Sequence, residues 1–419
     1  MTNTTTLPVN NSYFGELKQG WKTLLLCVVG ISSGAWAIPT YSFSALANSL
    51  VAEFGWTQTQ VQIAATVNFI AMTACLPLCG WLVKRVALFR LIVCSIILFS
   101  INLVLLSYQQ GSLTLFYLNY ATLQLCGLGT YLVVWSLLIN YKFNHARGMA
   151  LAILLSGTGF VGMTLPAFTT WMIETFSWRA AYQSLAAIPL IVLLPIVLIF
   201  RDEIVEVFQS SSDSNSHSSL LTGLTLRQAF SNYRYWVLVI VVCPFILVHV
   251  GFLFNMIPVL TAKGVSTIEA ASIAGMFGVG LTVGRLGAGY LIDHLWAPGV
   301  AVIAMMLPAI AWYLLLQDQS TVALLMLAVF IVGLGGGVEM DVVSFLVVKY
   351  FGLLDYSQIY ASLLTVTGIA SSIGPLAFGL VVDSFGSYDP ILYFGLGCFT
   401  LLPPLLLLFG KYPKFESVI

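Results

Sequence analysis

Residues 278–295 read GVGLTVGRLGAGYLIDHL, an apolar, glycine-rich stretch that carries a single cation, Arg285, in its interior. Asp293 follows eight residues later, where a membrane-spanning helix is expected to leave the bilayer. At about 1.5 Å per residue, Arg285 lies about 12 Å inside that end, near the mid-depth of a hydrocarbon core about 30 Å thick. A charge at that depth is costly unless it faces protein, water or a ligand, so Arg285 is predicted to mark a functional site. The alternatives are an arginine that snorkels to the headgroups or one that belongs to a structural ion pair.

The composition of the whole chain indicates a membrane protein. Of its 419 residues, 59% are hydrophobic and 8% are charged, with a mean hydropathy of +0.97. Such a chain has too few polar side chains to cover a soluble domain of this size. Repeated apolar runs of about 20 residues predict an all-α membrane protein with many spans. The net charge of zero argues against a nucleic-acid partner.

The sequence offers little material for catalysis or cofactor binding. Its seven cysteines fall within apolar runs and have neither zinc nor redox spacing, so we interpret them as packing residues. The glycines of 157–162 follow no predicted strand, which favours close helix packing over a nucleotide-binding loop. The chain is therefore expected not to be an enzyme and to need no cofactor or metal. Residues 1–19 lack the order of a cleaved signal peptide, so the first span is expected to insert directly.

Hydropathy predicts twelve transmembrane helices in two groups of six. The first six spans are 21–49, 58–82, 88–108, 112–140, 147–174 and 179–200, and the second six are 232–260, 267–292, 297–316, 321–349, 357–382 and 389–410. Between the groups, the serine-rich core of segment 202–228 predicts a flexible linker. The predicted organisation is a tail over 1–20, a bundle over 21–201, the linker over 202–228, a second bundle over 229–410 and a short tail over 411–419.

The distribution of lysine and arginine predicts the orientation. One face of the predicted topology holds thirteen cations: Lys18, Lys22, Lys84, Arg85, Arg90, Lys142, Arg147, Arg201, Arg227, Arg234, Lys349, Lys411 and Lys414. The other face holds two, Arg179 and Lys263. Because cytoplasmic loops carry the excess of basic residues, both termini are predicted to be cytoplasmic, in the cell (inner) membrane.

The two groups of spans repeat each other. A constant shift of 209 residues aligns landmarks in several spans: Gly55 with Gly264, Gly80 with Gly289, Tyr141 with Tyr350, Pro166 with Pro375, Glu174 with Asp383, and Phe176 with Phe385. One offset over many helices predicts two parallel, pseudo-symmetric six-helix repeats joined by a long linker.

The loop motifs resemble those of the major facilitator superfamily, whose signature between spans 2 and 3 is Gly-x-Leu-x-Asp-Arg-x-Gly. In the first half Gly80, Leu82 and Arg85 match it, while Lys84 and Ala87 replace the aspartate and the second glycine. The copy in the second half keeps the acid in Gly289-Tyr290-Leu291-Ile292-Asp293. The resemblance implies the major facilitator fold and a cytoplasmic gating motif formed by Gly80, Arg85, Gly289 and Asp293.

Within that superfamily the chain resembles the monocarboxylate transporter and oxalate:formate antiporter branch. The resemblance is carried by Phe54-Gly55-Trp56-Thr57, Arg147-Gly148-Met149-Ala150, Ser177-Trp178-Arg179, Arg285, Tyr350-Phe351-Gly352, Gly374-Pro375, Gly379 and Asp383. It implies that Arg285 binds the substrate carboxylate. The chain departs from the branch at Thr40 and Leu281, where animal monocarboxylate transporters carry a lysine and an aspartate. It also departs in span 11, where the oxalate:formate antiporter has a lysine but residues 357–382 of this chain contain no Lys or Arg. A cavity with one fixed cation suits one carboxylate better than two, and the alternative is a second carboxylate bound by neutral donors.

Two acids in span 10, Glu339 and Asp341, are candidates for proton coupling. By count from the span ends, Asp341 and Arg285 lie at similar depth. Glu339 and Asp341 point about 200° apart around a helix, so both cannot face one point. We expect one of them to pair with Arg285 until substrate competes for the arginine and favours protonation of the acid. The alternatives are a permanent structural ion pair and an acid that caps a broken helix at the glycine run.

Span 7 contributes two further candidates. His249 is a possible proton carrier because its unperturbed pKa is near 6.5, and the alternative is a hydrogen-bonded packing residue. Asn255 and Pro258 predict a kinked segment with a polar group that faces the pathway.

Spans 1 and 4 contribute candidate substrate contacts. Thr40 and Tyr41 in span 1, with Tyr131 and Trp135 in span 4, supply hydroxyl donors and flat apolar walls. The superfamily resemblance implies that spans 1, 4, 7 and 10 line the cavity. The alternative for these tyrosines and tryptophan is anchoring at the membrane interface.

The sequence as a whole predicts a secondary active transporter of a small organic anion, a monocarboxylate, that works by alternating access. Proton symport is the first expectation, with the proton and the anion as partners, the lipid bilayer as surroundings and a monomer as the transport unit. Anion exchange is the second, because exchange needs no titrating group. A non-transporting receptor and a drug or sugar transporter are further alternatives, since fold does not determine substrate.

Overall fold

The first half of the chain folds into helices separated by short turns. In this computed structural model the described residues are 13–143, 146–210, 223–317, 321–352 and 354–413. The helices of the first half are α1 (Tyr13–Gln19), α2 (Trp21–Ser32), α3 (Ala37–Phe54), α4 (Gln58–Arg85), α5 (Leu88–Ser107), α6 (Leu113–Cys126), α7 (Leu132–Lys142), α8 (Arg147–Thr175), α9 (Trp178–Ile188), α10 (Leu194–Ile199) and α11 (Arg201–Ser210).

The second half repeats this pattern with longer helices. They are α12 (Leu226–Ser231), α13 (Tyr233–Ala262), α14 (Thr267–His294), α15 (Ala297–Leu316), α16 (Val322–Phe351), α17 (Tyr356–Phe385) and α18 (Asp389–Leu401), followed by a 3₁₀ turn over Pro403–Phe409. In the described part of the chain, eleven segments are helical, long and apolar enough to cross a membrane. The twelfth crossing is the segment of α6 and α7, which is broken into shorter helices.

Spans 1 and 4 are both interrupted, and the two interruptions lie against each other. The backbone N–H of Ala35 donates to the Thr130 hydroxyl at 3.0 Å, and the Gln124 amide donates to the Ala35 carbonyl at 3.0 Å. A Cβ atom added at Gly127 would collide with that of Ala35. Inside a bilayer, freed backbone groups need partners from neighbouring helices. Side chains at the break in span 4 therefore supply partners for the backbone at the break in span 1, while the Gly129 N–H of span 4 donates to the Ser95 hydroxyl of α5 at 2.9 Å.

The segment predicted as a linker begins with a helix that is attached to the first half. Glu203 of α11 forms an ion pair with Lys142 at 3.1 Å and accepts a hydrogen bond from the Thr23 hydroxyl at 2.8 Å. Ile204 beside it is fully buried. These contacts hold α11 against α2 and α7. The serine-rich core of the predicted linker falls largely in 211–222, outside the described residues.

The main contacts between the two halves are made by three helix pairs, α3 with α13, α4 with α17, and α8 with α14. We call the end of the bundle that carries both chain termini the termini face. Towards the other face, the Ser44 hydroxyl accepts from the Ile257 N–H at 2.8 Å, and the Thr66 hydroxyl donates to the Ser372 carbonyl at 2.7 Å. Towards the termini face, Leu76 of α4 and Leu364 of α17 are instead exposed and line a cavity. The halves are therefore packed together on the face opposite the termini and separated on the termini face.

Candidate functional site

Arg285 lies where α14 of the second half crosses α8 of the first half. Glycines on both helices make this crossing very close: a Cβ added at Gly275 would lie 2.7 Å from the Met163 carbonyl oxygen, and one at Gly278 would collide with the backbone of Gly159. Because no side chain separates the helices, the backbones themselves are in contact. Arg285 extends from α14 at the end of this contact and reaches the other half of the molecule.

Two neutral oxygens of α8 hold the Arg285 guanidinium. Its Nη1 donates to the Leu155 carbonyl at 2.8 Å and to the Thr158 hydroxyl at 2.9 Å. The phenol of Tyr41, a buried residue of α3, lies within electrostatic range of the guanidinium and beside Thr158. An arginine offers five N–H donors, and the Nε and Nη2 groups of Arg285 have no hydrogen-bond partner among the described residues. The cation therefore joins the two halves and retains donors for a further acceptor.

A second glycine contact fixes α16 against the other side of α14. A Cβ at Gly284 would collide with the backbone of Leu334, and one at Gly337 would lie 3.0 Å from the backbone nitrogen of Arg285. The glycine run of α16 is thus a packing surface. It places the acid-bearing segment of α16 at the same level as Arg285, as the count from the span ends predicts.

Glu339, two residues after Gly337, is buried without a described partner. Its side chain is 4% exposed, and its Oε1 has no hydrogen-bond partner among the described residues. Within the described part of the chain no ion pair joins Glu339 to Arg285, whose hydrogen-bond acceptors are the neutral oxygens of Leu155 and Thr158. Glu339 faces α13, where Cys243 is its neighbour, and it lines the cavity. The side chain of Asp341 lies outside the described residues.

The cavity lies between the halves and has a volume of about 440 Å³. Its walls come from α4, α13, α16 and α17, together with Trp36, which precedes α3, and Thr40 in that helix. Most of the lining is apolar, with hydroxyl groups at Thr40, Thr73, Thr365, Thr367 and Ser371. Glu339 is the only ionisable group among the described lining residues. Arg285 is not among the described lining residues, but Tyr41, which lies within electrostatic range of its guanidinium, packs edge to face on the lining residue Trp36 at 5.7 Å.

His249 of α13 is enclosed by aromatic rings. It stacks on Phe245 at 5.7 Å and packs against Phe277 at 5.5 Å, and its Nδ1 has no hydrogen-bond partner among the described residues. Its ring occupies the space that a Cβ at Gly336 would need. Gly336 and Glu339 are three residues apart and share one face of α16, so His249 lies about one turn from the acid. Within the described residues, no group of three or more His, Cys, Asp or Glu side chains could hold a metal ion.

Asn255 of α13 joins the two halves rather than facing the cavity. Its side-chain oxygen accepts from the Gln62 amide at 2.8 Å, and its amide donates to the Gly251 carbonyl at 2.9 Å. Both amide groups are completely buried. Gln62 was not singled out by the sequence analysis, and no local motif distinguishes it.

Tyr131 and Trp135 lie inside the first half, around the break in span 4. The Tyr131 hydroxyl donates to the side-chain oxygen of Gln124 at 3.0 Å, and the Trp135 indole donates to the Thr130 carbonyl at 2.9 Å. Trp135 is fully buried against Gly30. Neither is a described lining residue of the cavity. In this arrangement both stabilise the broken helix, whereas Thr40 does line the cavity.

Only part of the predicted gating motif lies within the described residues. Arg85 packs over the Trp81 ring at 4.9 Å, and a Cβ at Gly80 would meet no atom within 4 Å. The surroundings of Gly289 and the side chain of Asp293 lie outside the described residues.

Thr158 is the residue at this site that the sequence analysis missed. It lies between Gly157 and Gly159, in the glycine run assigned to close helix packing. A hydroxyl within such a run contacts whatever the helix packs against, which is the signal that could have identified it.

Comparison with known proteins agrees with this fold. A family model described as Major Facilitator Superfamily matches residues 24–375. Monocarboxylate transporter 11 of Mus musculus is 23% identical over 265 residues, which cover 60% of this chain and 57% of that protein, little more than half its length. A crystal structure of a bacterial homologue of the human lysosomal transporter Spinster, inward-facing and unoccupied, matches 97% of this chain and 100% of its own, with a TM-score of 0.66 and 14% identity. The structural match bears on the fold alone, and the predicted fold class is confirmed.

Proposed function

Because this chain belongs to the Major Facilitator Superfamily, a family of membrane transporters and not of enzymes, we propose that it moves a small monocarboxylate across the membrane together with a proton. The protein is a multi-pass integral membrane protein. We place both termini in the cytoplasm, in the cell membrane, on the strength of the lysine and arginine distribution.

The observation that carries the proposal is the environment of Arg285. Its guanidinium is held between the halves by the neutral oxygens of Leu155 and Thr158. No described carboxylate balances the charge of Arg285, and its Nε and Nη2 groups have no hydrogen-bond acceptor among the described residues. Guanidinium and carboxylate match in geometry and charge. A substrate carboxylate that binds the remaining donors would contact a group that already links both halves, so binding and release are coupled to their relative movement.

Glu339 supports the coupling to protons. A buried acid without a partner carries a large cost when ionised and a smaller one when protonated. Glu339 has an unpartnered oxygen and faces the cavity, so a proton can reach it when the cavity is open. The relative named monocarboxylate transporter 11 supports the class of substrate.

A second candidate function rests on the cavity itself. Glu339 is the only ionisable group among its described lining residues, and most of the other walls are apolar. An apolar cavity with one acid is suited to an amphipathic cation. The protein would then export or import such cations, with Arg285 as a structural link between α14 and α8.

Uptake into proteoliposomes tests the proposal. Labelled acetate, 3-phenylpropanoate and succinate are offered with and without an inward proton gradient, beside protein-free liposomes that measure passive entry. We expect a monocarboxylate to accumulate only with the gradient, Arg285→Gln to abolish uptake, and Glu339→Gln to abolish accumulation. Arg179→Gln is the matched control, because Arg179 is an exposed arginine paired with Glu53 at 3.1 Å away from the site.

Three outcomes would change the assignment. Normal uptake by Arg285→Gln contradicts the central role of this arginine. Uptake only into liposomes preloaded with anion makes the protein an exchanger. Uptake of labelled tetraphenylphosphonium, with no uptake of any acid, favours the second candidate.

A further inference from the structure

We infer that the substrate is a monocarboxylate with a bulky apolar body, such as an aryl or branched alkyl group, which occupies the cavity while its carboxylate binds Arg285. This inference deepens the proposed function and rests on it. It follows from the size of the cavity, the chemistry of its walls and its position relative to the cation.

The cavity is far larger than a two- or three-carbon acid. Pockets that bind drug-sized ligands have volumes of about 300–1,000 Å³, and this one has about 440 Å³. At about 30 Å³ for each water in the liquid, the same space would hold roughly fifteen waters. A small acid would leave most of that water against the walls.

The walls favour an apolar occupant over water. Trp36, Phe69, Met72 and Leu253 surround the cavity from two helices and the break in span 1, with further apolar residues around them. Releasing water from such surfaces is favourable, and each buried CH₂ group strengthens binding about fourfold. The few polar lining groups are hydroxyls and Glu339. A second carboxylate, at the end of the substrate remote from Arg285, would lie against mostly apolar walls with no cation among the described lining residues, which argues against dicarboxylates.

Two aromatic residues link the cavity to the cation. Trp36 lines the cavity and packs against Tyr41, and Tyr41 lies beside the Arg285 guanidinium. Thr40, next to Tyr41 in the chain, lines the cavity as well. A substrate that places its carboxylate at Arg285 therefore extends past the Trp36–Tyr41 pair into the cavity. Acetate has a single methyl group beyond its carboxylate and is too short to fill the cavity from Arg285, whereas an arylalkyl acid carries an apolar body beyond its carboxylate.

Equilibrium binding to the purified full-length protein tests the inference without interference from passive membrane entry. Labelled 3-phenylpropanoate, 3-methylbutanoate, acetate and succinate are measured by scintillation proximity. We expect 3-phenylpropanoate to bind at least about tenfold more tightly than acetate and succinate to bind most weakly. Equal or tighter binding of acetate or succinate by the unmodified protein would overturn the inference, so the result does not depend on any variant.

A cavity-filling substitution adds a second measurement. Ala361→Phe places a ring in the cavity, because Ala361 is an exposed lining residue of α17. We expect it to weaken 3-phenylpropanoate binding about tenfold or more and to leave acetate binding within about twofold, which also shows that the variant is folded. Ala323→Phe, on an exposed position of α16 outside the lining, should change neither. Equal weakening of both acids by Ala361→Phe contradicts a separate body site.

The two levels of the proposal fail differently. If no acid of any size binds and none is taken up, the proposed function fails and this inference with it. If acetate binds and is taken up while larger acids are not, the transport function stands and only the bulky body is excluded.

Discussion

The Oδ2 atom of Asp383, near the end of α17, accepts a hydrogen bond from the backbone N–H of Thr59, in the first turn of α4, at 2.8 Å. The first N–H groups of a helix have no partner within it, and the positive end of the helix dipole favours an anion there. A carboxylate from the second half therefore caps a helix of the first half. Because the contact lies on the face opposite the termini, it stabilises the closed state of that face.

We predict that Asp383→Asn shifts the protein towards the state in which this face is open. Loss of the charge at a helix N-terminus costs about 0.3–1 kcal/mol, which raises the population of the open state roughly two- to fivefold. Spin labels at Ala52→Cys and Phe385→Cys, in a background without the seven native cysteines, would report the distance across this face by double electron–electron resonance.

The control for this prediction comes from the repeat. Glu174 is the counterpart of Asp383 by the shift of 209 residues, but no hydrogen bond from α14 reaches it among the described contacts. Both helices begin with a capping box of their own, Thr57 with Gln60 before α4 and Ser266 with Glu269 before α14, so the contact from Asp383 is an addition that α14 lacks among the described contacts. Glu174→Gln should leave the distance distribution unchanged, and an equal effect of both variants would contradict the role of Asp383.

Thr158→Val should weaken substrate binding without stopping transport. The Thr158 hydroxyl is one of two oxygens that hold Arg285, at 2.9 Å, and a hydrogen bond to a charged group contributes about 1.5–3 kcal/mol. With the guanidinium less well oriented, we expect KM to rise about tenfold and kcat to stay within a factor of about two.

Thr164→Val serves as the matched control in the same assay. Thr164 lies on the same helix, but its hydroxyl donates to the Phe160 carbonyl and faces an apolar groove formed by α2, α8 and α9. Its KM should match that of the unmodified protein. A Thr158→Val protein with unchanged KM would show that Leu155 alone positions the arginine.

Gly278→Ala should destabilise the protein where Gly287→Ala does not. A Cβ at Gly278 would collide with the backbone of Gly159 and Met163, whereas one at Gly287 meets no atom within 4 Å. Overpacking of this kind costs about 1–3 kcal/mol, while Gly→Ala in an open helix position gains up to about 1 kcal/mol. In a thermal unfolding assay Tm should fall for the first variant and stay equal or rise for the second. Similar Tm values for both would contradict the backbone contact.

The attachment of α11 should depend on pH through Glu203. Burial raises the pKa of this carboxyl, but hydrogen bonds from Thr23 and Lys142 and the lysine charge outweigh it and hold the pKa below its ordinary value. A carboxyl whose pKa is lower in the folded chain contributes stability above its unfolded pKa, and this is lost as the pH falls through the folded pKa. Hydrogen exchange in Arg201–Ser210, corrected for intrinsic rates, should therefore accelerate between pH 7 and about pH 4.

Two variants separate Glu203 from general acid effects on the protein. Glu203→Gln should exchange rapidly at both pH values, because it has no charge for Lys142 to stabilise. Asp202→Asn, at an exposed neighbouring position, should keep the pH dependence of the unmodified protein. Slow exchange of Glu203→Gln at neutral pH would show that Ile204 packing alone holds the helix.

The twelve crossings could be predicted from sequence because hydropathy measures what the bilayer selects. The breaks in spans 1 and 4 could not, since an apolar residue scores the same in a helix and at an interruption. The break near Ala35 depends on the Thr130 hydroxyl and the Gln124 amide, which lie about 90 residues away in the chain. Tyr131 and Trp135 were predicted to contact the substrate because this break is not visible in the sequence. In the structure their hydrogen bonds are made to residues around the break.

At the site, the sequence could identify unusual charges but not their partners. Arg285 stands out because a cation is rare in an apolar helix, yet Leu155 and Thr158 precede it by 130 and 127 residues. Their proximity arises from the contact of α8 with α14, which depends on glycines in both halves. The cavity likewise brings together five helices and cannot be read from any one of them.

The glycine contact between α8 and α14 has a consequence for how fast the halves can move. Interlocked side chains must change rotamers before one helix can slide along another, whereas bare backbones exchange one set of weak Cα–H···O contacts for the next. Gly159, Gly275 and Gly278 provide such a surface. The same crossing can therefore act as a fulcrum in both orientations of the halves, because few side chains have to unlock there when the halves rotate.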